Sequence, residues 1–200
     1  MSVAEVEVEV EVEARTAPGK AGQHESNVRA KEEPLAEHRK PLVLPRFDAE
    51  TARRLGEVVA NLASRRGLPV AVSIVRACGP LYFCAIDGSS ADSAESNRRK
   101  QNTVLRFGKS SLEVGVTFTG KGWTLSSRGM AAEDYSLCGG GVPLFVAHAG
   151  LVGAMAVSGL GGCADHELAM EALSWHVGML PILGAPYGCT TGIGGSSARD

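Results

Sequence analysis

The sequence predicts an α+β fold in which helices pack on an antiparallel five-stranded sheet, and three observations support it. Apolar residues recur at helical spacing in the segments that begin near residues 46 and 165. Two pairs of apolar runs are joined by short glycine-containing turns, which is typical of β-hairpins. Hydrophobic residues make up 44% of the chain, which is enough for one sizeable core. Because consecutive strands come in hairpins, the sheet should be mainly antiparallel.

The predicted elements follow one another as helix, hairpin, helix, short strand or loop, hairpin and helix. Asp48 and Gly67 are expected to cap the two ends of the first helix. The first hairpin lies in "LPVAVSIVRACGPLYFCAIDGSS", and the second helix covers about 92–107 and ends at Gly108; a helical restart through "SSLEVGVTF" is one alternative. The runs "VPLFVAH" and "LVGAMAVSGL" form the second hairpin. The last helix is predicted to begin with Asp165 as its N-cap.

Both ends of the chain differ in composition from the predicted core. Residues 1–40 hold a Val/Glu alternation followed by charged sequence that is poor in apolar side chains. Such alternation is a strand pattern, but one face would carry only Glu, and like charges disfavour pairing. We therefore predict a disordered acidic tail there, a single domain over 41–180, and a flexible Gly/Ser-rich tail over 181–200.

Composition and charge exclude several classes of function. No window has the roughly 18 to 20 continuous apolar residues of a membrane helix, and the N-terminus is acidic where a signal would be basic and apolar. The net charge is -2 and no aromatic residues interleave with the basic ones, so we do not expect nucleic-acid binding. The histidines show no HxH or HExxH spacing and the cysteines no CxxC pair, so no metal site is predicted. We expect a cytoplasmic protein.

One basic stretch, "NRRKQNTVLRFGKSS" at 97–111, is the first candidate site. On a helix, Arg99, Asn102 and Arg106 share one face, next to a Gly-Lys-Ser-Ser bend with available backbone N–H groups. Such a group can bind a carboxylate or phosphate, or pair with acidic residues of a neighbouring subunit. The alternative is an ordinary helix face that is solvated or paired within the chain.

The stretch "SGLGGCADHELAMEAL", at 158–173, is the second candidate site. Its glycines precede a helix N-terminus, where backbone amides and the helix dipole favour an anion. It is neither a Walker loop nor a Rossmann fingerprint. His166 is placed at the start of the helix and is a candidate base, a candidate ligand, or a surface residue.

The block "RRKQNTVLRFGKSS", together with "GGGVPLFVAHAGLVGAMAVSGL" and the "DH" of the last helix, resembles a known family. This is an uncharacterised UPF-type branch of the haem-degrading, HbpS-like family, formerly a domain of unknown function. The resemblance covers about 45–180 and implies a profilin-like fold and assembly into homo-oligomers. The motif positions that match, and that we take as ligand or interface candidates, are Arg98, Arg99, Asn102, Arg106, Gly108, Ser110, Ser111, Gly159, Asp165 and His166.

Three functions remain open from the sequence. The first is an oligomeric binding or regulatory scaffold whose arginines line a subunit interface or a pocket for a small anion. The second, which rests on the resemblance alone, is a protein that binds or degrades haem, with His166, His148 or Cys138 as axial ligand. The third is an enzyme acting on a small anionic substrate, with Arg99 and Arg106 holding the substrate and His166 as general acid or base.

Overall fold

The computed structural model describes residues 42–178, which contain five strands, four α-helices and one short 3-10 turn. The predicted tails at 1–40 and 181–200 lie outside the described residues. In chain order the elements are β1 (Val43–Leu44), α1 (Ala49–Arg66), β2 (Ala71–Arg76), β3 (Gly79–Ala85), α2 (Ala91–Phe107), α3 (Ser111–Gly120), the 3-10 turn (Ser126–Arg128), β4 (Gly141–Val146), β5 (Gly150–Ser158) and α4 (Gly162–His176).

The five strands form one sheet in the order β1-β4-β5-β2-β3. Both predicted hairpins are present as antiparallel pairs, and β2 and β5 are also antiparallel. The prediction of an antiparallel sheet is right only in part, because β1 pairs with β4 in parallel, with Val43 opposite Phe145. The hairpin argument applies only to strands that are neighbours in sequence, and β1 is separated from β4 by most of the domain. The profilin-like topology stays a prediction.

One face of the sheet is covered by α1 and α4 through an apolar layer. Asp48 caps α1 by accepting a hydrogen bond from the backbone N–H of Thr51 at 2.7 Å, and Gly67 ends the helix with a φ of 63°, as predicted. The fully buried side chains of this layer include Leu55, Ile74 and Met155. Their burial makes this layer the main hydrophobic core of the protein.

The opposite face of the sheet is covered by α2 through polar contacts. Asn97 donates to the carbonyl of Ala71 at 2.9 Å, and Gln101 donates to the carbonyl of Ser73 at 3.0 Å. Because strand side chains alternate between faces, β5 presents small side chains to this helix, including Ala156. The helix can therefore lie close enough to the sheet for its side chains to reach strand carbonyls.

Of the two alternatives for the segment that follows α2, the structure contains the helical one, α3, and not a strand. The fifth strand of the sheet is instead β1. Ser110 and Glu113 form a capping box, in which the serine hydroxyl accepts from the Glu113 backbone at 3.2 Å. Val114 and Phe118 of α3 pack with Met130 in a second, smaller apolar cluster. The restart of the helix through this segment is therefore confirmed.

Helix α4 begins earlier than predicted. Its N-cap is Gly161 rather than Asp165, which lies within the first turns of the helix and is 2% exposed. Trp175, in the last turn of this helix, is 55% exposed. Among residues 42–178, none of the helices combines the length and the apolar character that crossing a membrane requires.

Candidate functional site

The basic stretch on α2 is used largely to hold the loop 131–138. Arg98 forms ion pairs with Glu95 at 2.7 Å and with Asp134 at 3.1 Å. Asn102 donates to the carbonyl of Asp134 at 2.9 Å. The Arg106 guanidinium donates to the Tyr135 hydroxyl at 3.1 Å and lies 5.3 Å from the centre of its ring. Three of the predicted ligand or interface residues therefore bind this loop within the same chain.

Arg99 differs from the arginines on either side of it. Its side chain is 34% exposed, and its nearest carboxylate oxygen, on Glu95, lies 3.9 Å away. That carboxylate already accepts three short contacts from Arg98, between 2.7 and 3.1 Å. The Nε atom of Arg99 is buried and makes no hydrogen bond to any residue in the described range. Arg99 is thus a partly desolvated cation whose Nε N–H has no hydrogen-bond acceptor among the described residues.

Lys100, one residue further along α2, lies in the interior. Its ammonium group donates to the Val157 carbonyl at 2.8 Å and to the Asp165 carboxylate at 3.0 Å, and both charged side chains are at most 3% exposed. Burial lowers the pKa of Lys100 and the charge of Asp165 opposes that change. The other oxygen of Asp165 accepts from the backbone N–H of Leu160 at 2.9 Å. Asp165 therefore joins α2, the end of β5 and the start of α4.

Glycines at 139–141 bring the loop against this buried pair. A Cβ atom at Gly139 would collide with the carbonyl of Gly162, at the start of α4. Gly140 has a φ of 115°, and a Cβ there would lie 2.8 Å from the Lys100 ammonium. The backbone N–H of Gly141 donates to the Ser111 hydroxyl at 2.9 Å. The glycine-rich start of α4 is thus packed against this loop.

His166 is buried beside this centre, so the surface alternative from the sequence is wrong. The residue is 4% exposed. Burial is the main cause that lowers its pKa to about 4; the charge of Lys100 lowers it further, and that of Glu113 raises it. The imidazole is therefore neutral at physiological pH.

The remaining motif residues end or cap helices and allow a close approach between backbone segments. Gly108 ends α2 with a φ of 63°, and Ser110 caps α3. Gly159 has a φ of 147°, and a Cβ there would collide with the Pro69 carbonyl. The structure therefore places Lys100, Ser111, Asp165 and His166 around the glycine loop, while Gly108 and Gly159 shape nearby turns.

An open groove of about 550 Å³ runs beside this centre. Two of its lining residues, Leu137 and Cys138, belong to the loop that α2 holds. Cys138 directly precedes the glycine loop at 139–141, so the groove and the buried pair border the same loop. Among residues 42–178, no three side chains of the metal-binding types gather into a potential metal site.

Sequence reasoning missed the buried roles of Lys100 and Thr103. The Thr103 hydroxyl donates to the Ser136 carbonyl at 2.8 Å, and it is fully buried. The helical period offers one signal for both residues: Asn97, Lys100 and Val104 share a helix face, and this is the face that lies on the sheet. Because Lys100 lies between Asn97 and Val104 on this face, its burial could have been predicted from the sequence.

Comparison with known proteins identifies the family. A family model described as "Haem degrading protein HbpS-like" matches residues 47–174. A UPF0303 protein of Paraburkholderia phytofirmans is 42% identical over 145 residues, which cover 72% of this chain and 88% of that protein. The chain belongs to the HbpS-like family. The resemblance noted from the sequence motifs is therefore confirmed.

Solved structures agree with the fold of this HbpS-like protein. The Ybr137w protein has a TM-score of 0.64 at 26% identity, covering 68% of this chain and 82% of that chain. The structure of PduOC in complex with haem has a TM-score of 0.56 at 22% identity, covering 64% of this chain and 93% of that one. The second likeness shows a shared fold only.

Proposed function

We propose that this HbpS-like protein is a non-catalytic binding protein of the cytoplasm that holds a small anion at Arg99 and works as a homo-oligomer. Arg99 is the observation that carries the proposal. A half-buried guanidinium with an unused buried N–H attracts a carboxylate or phosphate, because such a ligand supplies the missing hydrogen-bond acceptor and a closer counter-charge than Glu95 at 3.9 Å. Arg98 and Arg106 bind the chain itself and serve instead to position the neighbouring loop.

Catalysis by His166 has less support than binding. A general acid or base works best with a pKa near the operating pH, and that of His166 is about 4. The side chain is also 4% exposed, which leaves little room for a substrate to reach it. His166 also lies against the glycine loop, since a Cβ atom at Gly139 would lie 3.3 Å from the Cβ atom of His166.

Haem, which the family name suggests, also has less support. The three candidate axial ligands lie in different settings: His166 is buried, His148 is in the exposed turn between β4 and β5, and Cys138 lines the open groove. The groove lining includes no histidine. No candidate histidine therefore lines this groove, and we assign no chemistry through haem.

Ligand-dependent stability tests the proposed anion site. Inorganic phosphate and small dicarboxylates, compared with chloride at equal ionic strength, should raise the melting temperature of the wild-type protein. A ligand at about 100 times its Kd contributes ~2.7 kcal/mol through mass action. Arg99→Gln should abolish the gain. Arg66→Gln is the matched control and should retain it, because the Arg66 guanidinium is already occupied by Glu171 and its loss does not release Glu95. An equal gain in Arg99→Gln, or none in the wild type, would contradict the proposal.

A further inference from the structure

Glu95 lies on α2 within reach of two arginines and can pair with either of them. Arg98 follows it by three positions and Arg99 by four, and both spacings make side chains neighbours on a helix surface. In the structure the carboxylate is directed to Arg98, whose guanidinium contacts it three times at distances between 2.7 and 3.1 Å. The arginine with which Glu95 pairs therefore decides whether the Arg99 guanidinium has an acceptor within the chain.

One oxygen atom of Glu95 is the acceptor for which the two arginines compete. Its Oε1 accepts from the Nη2 atom of Arg98 at 2.7 Å and lies 3.9 Å from the Nε atom of Arg99. That Nε atom is the buried one that lacks an acceptor among residues 42–178. A hydrogen bond needs about 2.7–3.2 Å between donor and acceptor, so a movement of the carboxylate by roughly 1 Å would form one. Glu95 is thus positioned to take the place of an anion at Arg99.

The loop 131–138 fixes the orientation of Arg98. The guanidinium of this residue also donates to the Asp134 carboxylate at 3.1 Å and to the Glu133 carbonyl. Because a guanidinium is planar and its N–H groups point in fixed directions, these contacts determine which of its edges faces Glu95. The Nε and Nη2 atoms on that edge are the ones that hold the carboxylate. The loop therefore helps Arg98 to keep Glu95 in one place.

We infer that Arg98 is a positioning residue of the anion site, because it holds Glu95 away from Arg99 and so leaves the Arg99 Nε–H open to a ligand. Glu95 is the internal competitor of that ligand. This inference rests on the proposed function of Arg99 and adds the residues that control access to it. Glu95 and Arg98 are 50% and 47% exposed, so the competition changes the affinity for an anion by no more than about fivefold.

Phosphate affinity in a double-mutant cycle tests this role. Glu95→Gln should lower the Kd for inorganic phosphate by about two- to fivefold, because the competitor is lost, and Arg98→Gln should raise it by a similar factor, because Glu95 is released. In the Glu95→Gln background, Arg98→Gln should have almost no effect, whereas a simple loss of positive charge would weaken binding by the same factor in both backgrounds. Asp92→Asn removes an equal charge from the first turn of α2 and is the matched control, which should keep the wild-type Kd.

Proton exchange at the Arg99 Nε–H tests the same role without any anion. In Arg98→Gln this N–H should exchange with solvent more slowly than in the wild type, because Glu95 then accepts from it, and adding Glu95→Gln should remove the protection. Nuclear magnetic resonance measures the exchange, and Arg99→Lys identifies the signal by its disappearance. Equal weakening by Arg98→Gln in both backgrounds, or unchanged exchange in Arg98→Gln, would overturn the inference. If the wild type does not bind phosphate, the proposed function fails, and the exchange measurement alone decides the role of Arg98.

Discussion

The ammonium nitrogen of Lys100 lies 3.0 Å from a carboxylate oxygen of Asp165, and both side chains are buried. Removing two charges from water is costly, and their attraction offsets that cost only while both are present. The pair also links two helices, because Lys100 belongs to α2 and Asp165 to α4. Loss of one partner should therefore be far more damaging than loss of both.

Asp165→Ala should lower the free energy of unfolding by about 3–5 kcal/mol, because it leaves the Lys100 ammonium buried without a counter-charge. The double variant Lys100→Met with Asp165→Ala should lose less than the single variant. Urea unfolding measures both. Glu171→Ala is a control for a more exposed ion pair, formed with Arg66 at 2.7 Å, and should cost about 1 kcal/mol or less. A double variant as unstable as Asp165→Ala would show that the buried charge is not the cause.

His166 should make the protein sensitive to acid. Its pKa is about 4 when folded and 6.5 when unfolded, so between these values the unfolded chain binds a proton that the folded chain does not. Stability is then complete above pH 6.5 and falls as the pH decreases towards 4, by about 3 kcal/mol. Urea unfolding at a series of pH values should show a smaller fall for His166→Gln. The same fall in His166→Gln and in a variant of exposed His148, His148→Gln, would assign the acid sensitivity to other groups.

Thr103 should control the order of the loop that α2 holds. Its hydroxyl donates to the Ser136 carbonyl at 2.8 Å and accepts from the Ser136 N–H at 3.2 Å. Thr103→Val keeps the shape and removes both bonds, at a cost of about 1–3 kcal/mol. Hydrogen exchange at the Ser136 amide should become faster. Thr117→Val is the comparison, because the Thr117 hydroxyl bonds only within its own helix, and it should leave that amide unchanged.

Features that depend on local sequence could be predicted. The cap at Asp48 and the helix ends at Gly67 and Gly108 are determined by side chains and backbone conformations within a few residues. The two hairpins depend on short turns and were likewise predictable. Strand β1 has two residues and pairs with a strand far along the chain, so no local pattern marks it.

The candidate site was less predictable because its contacts are distant in sequence. Lys100 and Asp165 are 65 positions apart, and nothing near either residue indicates the other. The density of positive charge on α2 suggested an external anion or subunit. The loop that neutralises Arg98 lies 36 positions away at Asp134, and only the folded chain shows that the carboxylate nearest to Arg99, on Glu95, is already occupied by Arg98.

The two faces of the sheet are held to their helices by different kinds of contact. The layer under α1 and α4 is apolar, and such contacts are non-directional and tolerate exchange of side chains of similar size. The layer under α2 consists of directional bonds, such as Asn97 to Ala71 and Gln101 to Ser73, which are satisfied in one position only. The apolar layer stabilises the fold, and the hydrogen-bonded layer fixes the position of α2 on the sheet. Helix α2, which carries Arg99, is thus the element whose placement tolerates the least error.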